Sequence, residues 1–295
     1  PKPQNPSNLN SVYNILNLFA MGPKKNKPGE DGEDMSTEQF YKLYVKNCKA
    51  SEIPISKIVK DKYDNEYMTD GSPMAKFNIW ESLGWQGTRA LFDALRSVNY
   101  QHVKTVRLWK TDSEDEGVRA VCQFIKGCDA VIMLELLDNG ITPFGCEHIG
   151  RLLMPEAKGN LTHLKLDHNS FGANGLAHLA EGLSMNKNIV QLSLTYCNID
   201  ETGARSLFEI LIYTQSALEE MILSGNHLRN AGTIEVLRGT SIAKSLKKIY
   251  LADNQFLEED EVLEAIDTCM KRNQNLGRYD FRFNFMSDYG VNKLI

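Results

Sequence analysis

Residues that do chemistry are few in this sequence, and they are scattered. Six cysteines, at positions 48, 122, 128, 146, 197 and 269 of 295, include no CxxC pair. That spacing excludes a dithiol or zinc-ribbon motif and points to a reduced, intracellular chain. Cys146 and His148 lie two apart, but His102, His163, His168, His178 and His227 are spread along the chain and complete no four-ligand set, so no metal is expected. There is no GxxxxGK[ST] phosphate loop, no GxSxG elbow and no GxGxxG. The acidic stretch 257–264 lacks the alternating oxygen ligands and central glycine of a calcium loop. No cofactor and no enzymatic activity are therefore expected.

Long apolar runs are also missing. None approaches the roughly 18 residues of a membrane span. The longest stretch near the start, Val12 to Met21, is interrupted by Asn14 and Asn17 and preceded by a single cation, Lys2, which argues against a signal peptide. Basic excess is lacking too: the formal net charge is -5, whereas a nucleic-acid binder needs a basic stripe to meet phosphates.

What the sequence does have is repetition. Seven times between Val103 and Gly290 an apolar residue is followed by a second three positions on, a third after two more, and a polar or small residue three beyond that. The clearest copy is Leu161, Leu164, Leu166 and Asn169, followed by Gly175 and by Leu179 and Leu183 at helical spacing. The polar positions are Thr111, Asn139, Asn169, Cys197, Asn226, Asn254 and Asn284, in steps of 28, 30, 28, 29, 28 and 30. Each unit predicts a short strand, whose alternate residues face a core, and then a helix burying an i, i+4 pair. One such unit cannot bury its own apolar face, so the units must stack. The short polar side chain sits where the chain turns inward and would satisfy buried backbone groups there.

This pattern resembles the long, ribonuclease-inhibitor-like class of leucine-rich repeats over about three quarters of the chain. The resemblance implies an α/β solenoid of seven to eight repeats: a right-handed horseshoe with a concave parallel β-sheet and convex α-helices. Two copies depart from it. Asp260 replaces the usual glycine in the sixth, and Thr240 occupies an apolar helix position in the fifth.

Residues 1–35, rich in Pro, Asn, Lys and Gly, read as a flexible or partner-docking tail in which Tyr13, Ile15, Leu16, Leu18 and Phe19 could form a docking element. Met21-Gly22-Pro23-Lys24-Lys25 looks like a translation start, which would make the first twenty residues an extension. Residues 36–76 are expected to form an N-terminal helical cap, opened by a Ser36/Thr37-capped helix with Phe40, Leu43 and Tyr44 on one face. The repeat domain is expected over 77–295, with Phe77, Ile79, Gly87, Leu91 and Leu95 as a shortened first repeat.

Strand residues that alternate with the core leucines line the concave face in columns. The central column is Arg107, Glu135, Lys165, Ser193, Ile222, Tyr250 and Asp280, whose first three members alternate in sign and suggest mutual pairing. Trp109, Met133 and Leu137 form an apolar patch at one end, which either the N-terminal segment or a partner would cover. Lys248, Tyr250, Arg278 and Arg282, with Phe283, form a basic and aromatic set at the other.

These features predict a non-catalytic scaffold, held in a hetero-oligomeric complex through its concave face and tail, without nucleic-acid or membrane contact. The lysine-rich start and short capped solenoid are similar to leucine-rich repeat subunits of ciliary axonemes, of the dynein-regulatory or radial-spoke type. That similarity implies a cytoplasmic protein of the cilium or flagellum. The alternative is a GTPase-activating regulator of the Ran-activator type, using the solenoid edge.

Overall fold

A computed structural model describes residues 35–157 and 159–294. The expected tail, including the Tyr13–Phe19 element and the Met21 start, lies outside the described residues apart from Met35. The chain opens with α1 (Ser36–Ala50) and α2 (Lys57–Lys62), which runs on through a π-helical turn at Tyr63–Tyr67. Strands and helices then alternate: β1 (Lys76–Ile79), α3 (Gly84–Ser97), β2 (Thr105–Trp109), α4 (Glu114–Ile125), β3 (Met133–Leu137), α5 (Pro143–Leu153), β4 (His163–Lys165) and α6 (Gly172–Leu183). They continue with β5 (Gln191–Ser193), α7 (Ala204–Ile212), β6 (Glu220–Ile222), α8 (Arg229–Ile242), β7 (Lys248–Tyr250), α9 (Asp260–Arg272), β8 (Arg278–Asp280) and α10 (Asp288–Leu294).

The eight strands form one sheet in sequence order, and every neighbouring pair is parallel. Strand–helix alternation at this period forces that result, because a parallel neighbour needs a crossover long enough to hold a helix. In each strand the repeat's apolar residues are buried, among them Val106, Leu108, Leu134, Leu136, Leu164, Leu192, Met221 and Ile249. The residues between them line the opposite, open face. On the helices the pairs Val121/Ile125, Ile149/Leu153, Leu179/Leu183 and Leu207/Leu211 are all buried against the sheet.

The residue before each ladder position (Lys110, Asp138, His168, Tyr196, Gly225, Asp253, Phe283) adopts a left-handed backbone conformation. That is the inward turn, repeated seven times, and only one of the seven is glycine. At Gly225 a second demand explains the choice: a Cβ would lie 2.2 Å from the Tyr196 ring that passes over it.

The two irregular repeats are absorbed locally. Thr240 is fully buried and its hydroxyl donates to the Val236 carbonyl at 2.8 Å, so α8 continues without an unsatisfied group. At Asp260 the helix α9 simply begins, with Glu259 as its extended N-cap. Helices α5 and α6 approach backbone to backbone: a Cβ on Gly150 would lie 2.1 Å from the His178 carbonyl oxygen.

The opening helix differs from the capped one expected. It starts at Ser36 with Met35 as N-cap, no side chain caps it, and it extends to Ala50. Thr37 is drawn away from a capping role because its hydroxyl meets the Tyr100 hydroxyl at 3.0 Å inside the core. The Phe40 ring packs 5.9 Å from Phe77 and 5.5 Å from Tyr100, contacts of about 0.5–1.5 kcal/mol each beyond area burial. Those contacts fix α1 over the first strand, and the Tyr100 hydroxyl also accepts from the Met74 amide at 2.7 Å.

Candidate protein-interaction face

The ladder residues tie each repeat to the one before it. Asn169 is buried; its carbonyl oxygen accepts from the backbone amides of Asn139 (2.9 Å) and Ile141 (3.1 Å). Its amide donates to the Leu136 and Leu166 carbonyls at 2.7 and 2.8 Å. Asn139 and Asn226 repeat this arrangement on Leu108 and Leu194 of their preceding repeats. Cys197 substitutes weak thiol contacts to the Leu166 and Thr195 carbonyls, at 3.3 and 3.5 Å. Asn254 still donates to Leu223, but its carbonyl oxygen is buried without a hydrogen bond. Asn284, at the last repeat and half-buried, accepts from the Asn254 amide at 2.8 Å.

Above this frame the open face divides in two. In the N-terminal half, strand register places Trp109 directly beside Leu137, and Met133 four residues earlier on the same strand. Trp109 is 61% exposed, so residues 35–76 do not cover it. Leu137 and Met133 are half-buried, and the Met133 sulfur accepts from the Arg107 guanidinium at 3.1 Å. Arg107 and Lys165 both pair with Glu135, at 3.1 and 3.2 Å, which is the alternating charge column of the sequence closed on itself.

Trp80 was missed by reasoning from the seven clear repeats, because it lies in the degenerate first one. Ile79 pairs with Leu108, so Trp80, the first residue beyond β1, continues that register toward Trp109, and it is 67% exposed. The signal was present in the alternation of Phe77 and Ile79, which carried one residue further puts Trp80 on the open face. The patch is therefore two indoles at successive register positions, one just beyond β1 and one at the end of β2, with Leu137 completing the row.

The C-terminal half carries charge that is mostly matched internally. Lys248 pairs with Glu220 at 3.2 Å. Arg282 grips Asp280 with two nitrogens, at 2.8 and 2.7 Å, and this bond holds the Asp280 carboxyl below its ordinary value. The Arg278 guanidinium lies 5.5 Å over the Tyr250 ring, and no carboxylate among the described residues pairs with it. Phe283 beyond them is 80% exposed. Four strand spacings, about 19 Å, separate β3 from β7, so the two sets are not one site. Between them Asp167 accepts from the Ser193 hydroxyl and the Thr195 amide at 2.6 and 2.8 Å, a middle region that is small, polar and satisfied.

Reactive side chains are placed poorly for chemistry. All six cysteines are free and buried. Burial pushes their thiols up, to about 12 for Cys122 and Cys269, the opposite of an activated thiolate. Cys146 and His148 sit two apart on α5 and so point in different directions. No group of three or more potential metal ligands occurs among the described residues. Among the described residues, no helix is long and apolar enough to cross a membrane.

The chain matches no protein-family model. It is 27% identical over 195 residues to ribonuclease inhibitor of Sus scrofa, a match covering 64% of this chain and 41% of the inhibitor. It is 28% identical over 187 residues to NACHT, LRR and PYD domains-containing protein 12 of Mus musculus, covering 62% of this chain and 17% of that protein. The chain thus spans less than half of these relatives. Among solved structures, the tropomodulin C-terminal domain of Caenorhabditis elegans superposes with a TM-score of 0.43 at 20% identity, over 50% of this chain and 88% of that domain. Eight in-register parallel strand–helix units and the inter-repeat asparagine ladder make the fold a leucine-rich repeat solenoid, and in sequence the chain is similar to ribonuclease inhibitor.

Proposed function

We propose that this chain is a non-catalytic protein-binding scaffold whose open face docks a protein partner within a larger assembly. The observation that carries the reading is the pair of exposed indoles, Trp80 and Trp109, in line with Leu137 on a rigid sheet. Large aromatics in water on a fixed backbone are the usual anchors of interfaces, since they bury much area at little entropic cost. Relatives that include a protein named for inhibiting ribonuclease fit a role exercised by binding. In this reading residues 36–76 cap the first repeat, 77–295 present the face, and the tail 1–35 adds a second contact. Trp109, Met133 and Leu137 form one contact region, and Lys248, Tyr250, Arg278 and Arg282 a separate, more polar one.

The finer assignment is a subunit of the ciliary axoneme; it rests on the MGPKK start and the short capped solenoid, and the relatives above add nothing to it. Affinity capture from native extract with the wild-type chain and a Trp80→Ala/Trp109→Ala variant tests both levels. Enrichment of tubulin and axonemal proteins that the variant loses supports the axonemal scaffold. Enrichment of a small GTPase supports the regulator instead. Identical captures by both proteins would remove the patch from the interface.

A further inference from the structure

We propose that the N-terminal segment of this same chain, residues 9–19, docks on the Trp80–Trp109 patch and occupies it until a partner displaces it. This rests on the patch being a protein-binding site and adds its internal competitor. Three observations converge on that occupant. The first is charge. Next to the indoles Arg107 is paired with Glu135, Lys110 with Asp138, and Glu81 accepts from the Ser56 hydroxyl and the Ile58 amide. The patch therefore offers apolar area with its neighbouring charges already matched, and it favours an uncharged apolar ligand over an acidic or phosphorylated one. Residues 3–23 contain no charged side chain, and within them Leu9, Val12, Tyr13, Ile15, Leu16, Leu18 and Phe19 supply apolar area.

The second is shape. Val12, Ile15, Leu16 and Phe19 recur at the three-and-four spacing of one helix face, the pattern of a helix that lays its apolar stripe on a hydrophobic surface.

The third is reach. Thr37 is held at Tyr100, whose hydroxyl also binds the Met74 amide, so α1 starts near the N-terminal end of β1. Trp80 lies six residues beyond Met74, about 20 Å of extended chain. Residues 20–34 span up to roughly 50 Å when extended, enough to return along β1 with slack. A tether of that length gives an effective concentration of order millimolar, so even a weak contact would be populated.

The proposal concerns the chain as it stands, with residues 1–20 present. It is tested in a Trp85→Phe background, which leaves Trp80 and Trp109 as the only indoles. Three proteins are compared: the full chain, the chain starting at residue 24, and the full chain with Ile15→Asp/Leu16→Asp. The expected result is emission at shorter wavelength in the full chain than in the other two. A synthetic peptide of residues 9–20 should shift the truncated chain back saturably, and Trp109→Ala should abolish that response. Sedimentation should show a monomer throughout. Equal emission from all three proteins, or no response to the peptide, overturns the proposal. So does a shift that grows with protein concentration alongside dimer formation, because the segment would then dock between copies. If the segment does not dock while Trp80→Ala/Trp109→Ala still loses the captured partner, the internal competitor fails and the partner-binding reading stands.

Discussion

Strands β1–β3 and strands β7–β8 belong to one continuous parallel register, yet the side chains they turn outward differ in how much of their chemistry is already used. At the N-terminal end two indoles and Leu137 stand in a row with no described residue over the indoles. At the C-terminal end Lys248 has Glu220, Arg282 has Asp280, and Arg278 lies on Tyr250. A charged surface can satisfy itself because opposite charges on adjacent strands meet about 4.8 Å apart. An apolar surface cannot, since only excluding water satisfies it. The contrast teaches that an aromatic and basic composition is a weaker sign of an interface than unmatched apolar area on a rigid frame.

The largest effect expected from breaking this comparison is on stability. Asn139→Leu in the N-terminal half strands the Thr111 amide and the Leu108 carbonyl, both bonded to Asn139 now, at roughly 1–3 kcal/mol per buried group. Asn284→Leu in the C-terminal half should cost less, because Asn284 is half-buried and water can replace its bonds. Thermal or urea unfolding of both variants measures the difference; equal losses would show the ladder to be as dry at its end as inside.

Partner affinity comes next. In the chain starting at residue 24, where no internal segment competes, Trp80→Ala and Trp109→Ala should each weaken binding by about 2 kcal/mol, roughly 30-fold, with an unchanged melting temperature because no described residue covers either ring. Lys248→Ala and Arg282→Ala should weaken it only a few-fold, since both cations are already paired. Titration calorimetry with the captured partner decides, and the reverse ranking would move the interface to the C-terminal half.

A smaller effect concerns acid. The Arg282 guanidinium bonded to Asp280 holds that carboxyl below its ordinary 3.8. A carboxylate with a depressed folded value contributes stability that is fully present above the ordinary value and is lost as pH falls through the folded one. Carbon-detected titration of Asp280 should show a low midpoint that rises toward the ordinary value in Arg282→Ala. A midpoint unmoved by that substitution would mean the two side chains do not hold each other in solution. The smallest expected effect is that of Lys248→Ala on stability, about 0–1 kcal/mol for a pair with Lys248 at 46% side-chain exposure. A larger loss in chemical denaturation would show that the C-terminal half depends on its pairs for structure.

Much of the fold was legible because leucine-rich repetition is local. Leu161, Leu164 and Leu166 at strand spacing, then Leu179 and Leu183 at helix spacing, specify one unit. A unit with one apolar face must stack on its neighbour, which sets parallel order and puts Thr105, Arg107 and Trp109 on the side opposite the core. Positions that obey no local period were decided elsewhere. Thr37 had the sequence context of a helix cap, and only the Tyr100 hydroxyl, 63 residues away, made it a core contact. Thr240 stood at an apolar helix position, and its full burial came from packing between repeats, where its hydroxyl is satisfied by the Val236 carbonyl one turn back. Trp80 gained its meaning from β1 pairing with β2, since a side chain's neighbours across a sheet are set by register rather than by sequence separation. The sequence by itself thus determined the repeat, its period and the face each residue takes, because those follow from backbone geometry and burial. Tertiary structure alone decided which charges are spent on each other and which indoles stand together, because those depend on distances between strands that the chain brings together only by stacking.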